Sequence, residues 1–268
     1  MRNGSRSTLA LAGLLAVALS WTLTPAPAFA EADEKSKVLV AAMIEAHGGM
    51  DTWAAAPSVA FTEQWTVGGE PGAVMRFVIE QGPRRVHAEV VGTDTRIGWD
   101  GEQAWGLNWD VPRPPRFLAQ LNYYFLNLPW LTQDPGVFLE YEGTGSIYDG
   151  DKRYEIVRMT FGQGVGDSPE DYYRLYIDPE THVLAATGYI VTYQAILPEG
   201  MSQSPENTLV FESYEQVDGL TVPTAFTIYR GKDQVYASLA AKDWSFREPF
   251  DAAAAMVPEG AVIDESQP

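Results

Sequence analysis

The spacing of apolar residues changes period several times along the chain, and each change marks a different kind of element. Between residues 34 and 47, Val38, Leu39, Ala42, Met43 and Ala46 recur at helical spacing, with Lys35 and Glu45 outside the stripe. Gly48-Gly49 follows, the expected place for a left-handed helix cap. A short second segment around Met50 to Ala55 leads to Pro57. From Ser58 the dominant period is two. Val59, Phe61, Trp65 and Val67 share one face before the turn residues Gly68 to Gly72. Met75, Phe77 and Ile79 alternate with Arg76 and Glu80, and Val86, Ala88 and Val90 with His87 and Glu89. Thr95 to Trp99 and Gln103 to Asn108 flank Asp100-Gly101, a hairpin signal.

Helical spacing returns between Val111 and Gln133. Pro112, Pro114 and Pro115 form a stiff entry, and Phe117, Leu121, Tyr124, Phe125 and Leu128 make an apolar helical face that Pro129 should end. Strands are expected again over 137–142, 153–161, 172–178, 182–193, 208–214, 221–229 and 234–246, with a glycine-rich loop from Gly162 to Pro169. About 11 short strands separated by Gly, Asp and Pro turns describe one mainly β domain built as an antiparallel meander. The stretch after Glu248 is small, acidic and Pro-containing, so residues 251–268 read as a loosely ordered tail behind a domain over 31–250.

Residues 1–30 carry a different pattern. Arg2 and Arg6 precede an apolar run from Leu9 to Leu19, and Ala28-Phe29-Ala30 is a small-x-small cleavage site. This is the form of a secretory leader cut after Ala30, which in a bacterium with two membranes delivers the protein to the periplasm. The run is too short for a stable bilayer anchor. Removing Arg2 and Arg6 leaves 16 of the 18 basic residues against 36 acidic ones, a net charge of −20. Such a field repels phosphate backbones, so nucleic acid is not an expected partner. The absence of cysteine excludes disulfides, thiolate nucleophiles and thiolate metal sites.

The turn signatures, taken in order, resemble a known group. Ala46-His47-Gly48-Gly49 with Trp53, Trp99-Asp100-Gly101 with Trp105, and Leu128-Pro129-Trp130-Leu131 come first. Asp134-Pro135-Gly136 and Asp149-Gly150 follow, then the run Tyr176 to His182 and the run Asp218 to Pro223. In this order and spacing, over roughly residues 34–250, they resemble a family of exported bacterial proteins similar to the superfamily of the Lol lipoprotein carriers and outer-membrane lipoprotein-sorting proteins. The resemblance implies a half-open antiparallel β-barrel, with helices closing a concave apolar side that shelters acyl chains. It supplies no catalytic residues.

The expected binding residues follow from the aromatic density. Trp105, Trp109, Phe117, Tyr123, Tyr124, Phe125 and Trp130 fall within 26 residues, and read as the lid and rim of a binding mouth, with Leu121 and Leu128 on the same helix. The alternative is that this helix only fills the core. Trp65, Phe77 and Trp99 would join the site from inward strand positions, alongside Phe61 and Phe138, if the register holds. His47, His87 and His182 are unpaired in sequence, so no metal site is expected. His47 reads as an imidazole at the negative end of a helix dipole. Asp167, Glu170 and Asp171, like Asp149-Gly150-Asp151, read as solvated turns instead of calcium ligands. Gly162 to Gly166 lacks the Lys and Ser/Thr of a phosphate loop, and no nucleophile elbow is present.

The reading is a soluble, exported binding or carrier protein for a lipid, acyl chain or other lipophilic molecule. It needs no cofactor and, as a monomer, hands cargo transiently to a membrane or envelope protein. Two alternatives make distinct demands. An enzyme acting on envelope material in the same cleft needs convergent ionisable groups with displaced pKa values. An interaction module needs a filled concavity.

Overall fold

The computed structural model describes residues 31–111, 113–163, 165, 168–232 and 234–266, so the leader lies outside the described residues. A two-residue strand β1 (Glu31–Ala32) precedes α1 (Glu34–Ala46) and the short α2 (Met50–Ala54). A first meander then runs through β2 (Ser58–Val67), β3 (Glu70–Glu80), β4 (Val86–Val90), β5 (Arg96–Trp99) and β6 (Ala104–Leu107). After α3 (Pro115–Leu131) a second meander comprises β7 (Val137–Gly145), β8 (Tyr154–Phe161), β9 (Tyr173–Ile177), β10 (Leu184–Tyr189), β11 (Asn207–Val217), β12 (Leu220–Tyr229) and β13 (Val235–Ser245). A single-turn α4 (Ala252–Ala255) and the two-residue β14 (Val262–Ile263) follow.

All these strands form one sheet, in the order β1-β7-β8-β9-β10-β11-β12-β13-β2-β3-β4-β5-β6-β14. The two meanders meet where β13 pairs antiparallel with β2, and every ladder is antiparallel except the β1–β7 edge. The sheet is open, since β1 and β14 pair only inward, and it does not close into a barrel. The count is 14 strands among the described residues, not about 11. The two edge strands account for much of the difference, because a two-residue strand has no alternation to read.

Helix α3 carries the chain from the β6 edge to the β7 edge, across the sheet. Its side chains reach strands of both meanders: Asn122 donates to Glu63 on β2, while Phe125 packs on Tyr189 of β10 and Phe226 of β12. For one helix to touch strands so far apart in the ladder, the sheet has to curl around it. Twist accumulating between neighbouring strands supplies that curl.

Local chemistry explains where each helix starts and stops. The Asp33 carboxylate caps α1, with Oδ1 accepting from Ser36 N at 2.9 Å, and Oδ2 also accepts from Tyr141 N on β7 at 2.8 Å. At the other end Gly48 has φ +102°, and a Cβ there would run into the carbonyl oxygen of Gly219 in the β11–β12 turn. Helix α3 passes through Pro129 and ends at Leu131, two residues beyond the expected stop. A proline so close to the end removes only one N–H, and the Thr132 hydroxyl donates to Pro129 O at 2.7 Å to finish the turn. Trp130 and Leu131, both fully buried, hold the last residues in place.

The core between α3 and the sheet is filled. Phe61, Phe77, Tyr123, Phe125, Leu128 and Trp130 are buried almost completely, each contributing roughly 1.5–3 kcal/mol of apolar transfer energy where its side chain is aliphatic or phenyl. Phe138 is outside instead: Val137 and Leu139 take the inward positions of β7, and a neighbour one residue away must face the other side. The segment expected to be a loose tail is fastened as far as Ser266. β14 pairs with β6, Ala255 O accepts from Trp105 Nε1 at 2.8 Å, and Asp264 Oδ2 accepts from Arg116 N at 2.8 Å.

Candidate functional site

One side of α3 is left partly uncovered, and its register explains why. From Asn122 to Leu131 every residue except Tyr124 is buried, so this half of the helix completes the core. In the N-terminal half, Phe117, Gln120, Leu121 and Tyr124 are only half-buried. With Phe125 they recur at intervals of three, one, three and one, a single helical face. That face forms one wall of a cleft of about 570 Å³. Tyr173 on β9, Tyr189 on β10 and Phe161 at the end of β8 form the facing wall. Arg84, Trp99 and Asp134 lie along the rim.

Aromatic contacts fix the walls. Tyr124 stacks on Tyr173 with ring centroids 6.4 Å apart and meets Phe161 edge-on at the same distance. Phe125 meets Tyr189 edge-on at 4.9 Å at the cleft's base, and Phe117 lies 5.3 Å from Tyr193 at its far end. Rings in these offset and edge arrangements attract one another beyond the area they bury, which supports the walls of the cleft.

Of the eleven residues expected to bind a ligand, Trp99, Phe117, Leu121, Tyr124 and Phe125 line this cleft. Phe77, Leu128 and Trp130 belong to the sealed core, and Trp105 is buried away from the cleft, where its Nε1 donates to Ala255 O. Trp130 stacks on Trp53 at 5.8 Å and meets His47 edge-on at 5.9 Å. Trp65 packs edge-on against Phe226, with its Nε1 donating to Glu63 at 3.1 Å. Trp109 braces the entry to α3, where its Nε1 donates to Arg113 O at 2.9 Å.

Polar groups are few in the cleft, and one of them was not expected there. The Arg84 guanidinium donates to both oxygens of Asp134 at 2.6 Å and lies over the Tyr123 ring at 5.2 Å. The two charges of this pair offset each other. Asp171, expected in a solvated turn, instead lines the cleft. Its Oδ1 accepts from Thr192 N at 2.7 Å and Thr192 Oγ1 at 2.8 Å, and burial pushes its carboxyl up to about 6. Nothing in the local sequence marks this acid, because Tyr173 and Tyr189, which enclose it, come from two separate strands.

Two further ionisable groups lie in the core. Glu63 on β2 is sealed beneath α3, and desolvation pushes its carboxyl up to about 8. His47 was expected at the negative end of the helix dipole, which favours a protonated imidazole, but desolvation pulls it down to about 4. The neutral ring is needed: Nδ1 faces Thr221 O at 2.8 Å while Nε2 accepts from Leu184 N at 3.2 Å. No group of three metal-binding side chains occurs among the described residues. Nor, among them, is any helix long and apolar enough to cross a membrane.

No family model matches the chain, and no curated protein matches it. Among solved structures it is similar to a LolA superfamily protein from Nitrosomonas europaea, at 11% identity over 80% of this chain and 94% of that one, with a TM-score of 0.48. A DUF1329 family protein from Desulfovibrio piger is similar at 10% identity over 84% of this chain and 98% of that one, with a TM-score of 0.49. An outer membrane lipoprotein-sorting protein domain from Vibrio parahaemolyticus is similar at 10% identity over 81% of this chain and 94% of that one, with a TM-score of 0.43.

Proposed function

We propose that the protein is an exported carrier or sensor that holds one lipophilic molecule in the cleft between α3 and the ends of β8, β9 and β10. The observation that carries this reading is the half-buried ring-lined face of α3 beside a core that is otherwise filled. A volume of about 570 Å³ lies within the roughly 300–1,000 Å³ common for small-molecule sites. An acyl chain entering it gains about 0.8 kcal/mol for each methylene removed from water. The leader motif in residues 1–30 supports export, and with it encounters with envelope lipids and membranes.

Binding is favoured over catalysis by the arrangement of the polar groups. Asp171 is a displaced carboxyl of the kind an enzyme would use, but Asp134, the other acid of the cleft, is engaged by Arg84. Hydrolysis of a glycosidic bond would call for two carboxyls free to converge on it.

The test is uptake of N-phenyl-1-naphthylamine, an uncharged lipophile that fluoresces when desolvated, together with native mass spectrometry of the protein from its own periplasm. Saturation near one molecule per chain, or a co-purified lipophile at that stoichiometry, supports the carrier. A protein that is empty by mass and takes up no dye overturns it.

A further inference from the structure

Within that carrier reading, the polar groups of the cleft carry information about the ligand's own polar end. Among the cleft's charged side chains, Arg84 and Asp171 differ in how far their charge is already matched. Arg84 already donates from Nη2 to both Asp134 oxygens and covers the Tyr123 ring, so its charge is matched by a neighbouring carboxylate. Asp171 has no cation among its partners in the described residues. Thr192 holds Oδ1 through two hydrogen bonds and thereby fixes the carboxyl plane. Oδ2 accepts no hydrogen bond among the described residues, yet it is not one of the sealed polar atoms, so it is open to the cleft. Tyr173 and Tyr189, both buried, line the same cleft, and the half-buried Asp171 carboxyl is partly desolvated beside them.

We infer that the cleft selects lipophiles whose polar end donates a hydrogen bond, an alcohol or an ammonium group, over those ending in carboxylate or phosphate, with Asp171 Oδ2 as the acceptor. An anionic headgroup placed there meets a fixed negative charge in a low-dielectric pocket with no unmatched cation to offset it. A hydroxyl or ammonium supplies the proton that Oδ2 lacks, while its chain lies along Leu121, Tyr124 and Phe125.

The experiment is displacement of bound N-phenyl-1-naphthylamine at pH 7.5 by dodecan-1-ol, dodecylamine and dodecanoate, which share one chain length. The wild-type protein should bind the alcohol and the amine at least tenfold more tightly than dodecanoate, and the gap between those two separates a neutral donor from a cation. In D171N the amide nitrogen replaces Oδ2 by a donor while the carbonyl still accepts from Thr192. The amine should weaken at least tenfold and dodecanoate should tighten. Dodecanoate binding as well as the alcohol and amine in the wild type, or a preference unchanged in D171N, overturns the assignment and points to Arg84 as the headgroup site. The wild-type ratio decides alone if D171N does not fold. A protein that never binds the dye or any of the three chains fails earlier, at the carrier reading itself.

Discussion

Asn122 on α3 donates from Nδ2 to Glu63 Oε1 on β2 at 2.7 Å, and both side chains are sealed from solvent. The remaining atoms of the pair, Glu63 Oε2 and Asn122 Oδ1, have no partner among the described residues. An ionised carboxylate cannot use Asn122 Oδ1, but a protonated one brings the missing hydrogen. The displacement of the Glu63 carboxyl up to about 8 agrees with a neutral acid facing an amide. This contact joins the crossover helix to the strand where the two meanders meet.

Folding therefore takes up a proton at Glu63 between its ordinary 4.5 and about 8. The stability it contributes is complete below the lower value and declines as pH rises through the upper, by up to about 1.4 kcal/mol per pH unit. E63Q keeps the shape and supplies a permanent amide donor for Asn122. Urea unfolding at pH 5 and pH 8 should show a smaller loss of stability for E63Q than for the wild type. An identical loss would mean that Glu63 does not bind the proton.

His47 acts in the opposite sense. Its folded-state value lies near 4 against an ordinary 6.5, so its contribution is present above 6.5 and is lost as pH falls through 4. H47A removes the acceptor of Leu184 N–H and the partner of Thr221 O together, and should cost roughly 2–5 kcal/mol at pH 7. The same variant should have a shallower acid limb, read from tryptophan fluorescence between pH 7 and pH 4. An acid limb as steep as that of the wild type would assign acid sensitivity elsewhere.

Leu121 and Phe125 are four residues apart on one helix, yet a charge should act differently at each. Leu121 is half-buried on the cleft face, so L121D should weaken dye uptake at least tenfold and leave the β-sheet circular dichroism intact. Phe125 is 2% exposed and wedged against Tyr189 and Phe226, so F125D should unfold the protein. Equal retention of fold in both variants would show that the base of the cleft is looser than described.

Gly48 permits the chain to reverse after α1 while the β11–β12 turn passes against it. G48A places a Cβ at φ +102° and against the Gly219 carbonyl. Backbone strain and the clash should together cost roughly 2–4 kcal/mol, visible as a lower Tm, whereas G68A, with open space around it, should cost about 1 kcal/mol.

Much of this architecture could be read from the chain because it rests on local regularities. Alternation at Met75, Phe77 and Ile79, the turn at Asp100-Gly101 and the helical face from Phe117 to Phe125 each state their structure within a few residues. The division of that helix into a plug and a cleft wall could not be read, since Trp130 and Phe117 look alike as sequence. They differ only in what stands opposite them, Trp53 and His47 in one case and Tyr193 beside a void in the other. Asp171 and Glu63 were illegible for the same reason, as their enclosure comes from segments distant in sequence. His47 was placed correctly at its helix end, but its neutral state was not legible, because burial there is the work of Thr221, Leu184 and Trp130.

A sheet fourteen strands wide would ordinarily present two long rows of unsatisfied backbone groups, an invitation to pair with another copy. Here each outer side ends in a stub of two residues, β1 against Phe138 and Leu139, and β14 against Trp105 and Gly106. The first stub is anchored immediately by the Asp33 carboxylate and the second by the Asp264 contact to α3. The β14 stub is held to β6, and the Asp264 N–H beyond it donates to Ala104 O, so that short strand is covered. This edge of the sheet therefore offers little template for pairing with another copy.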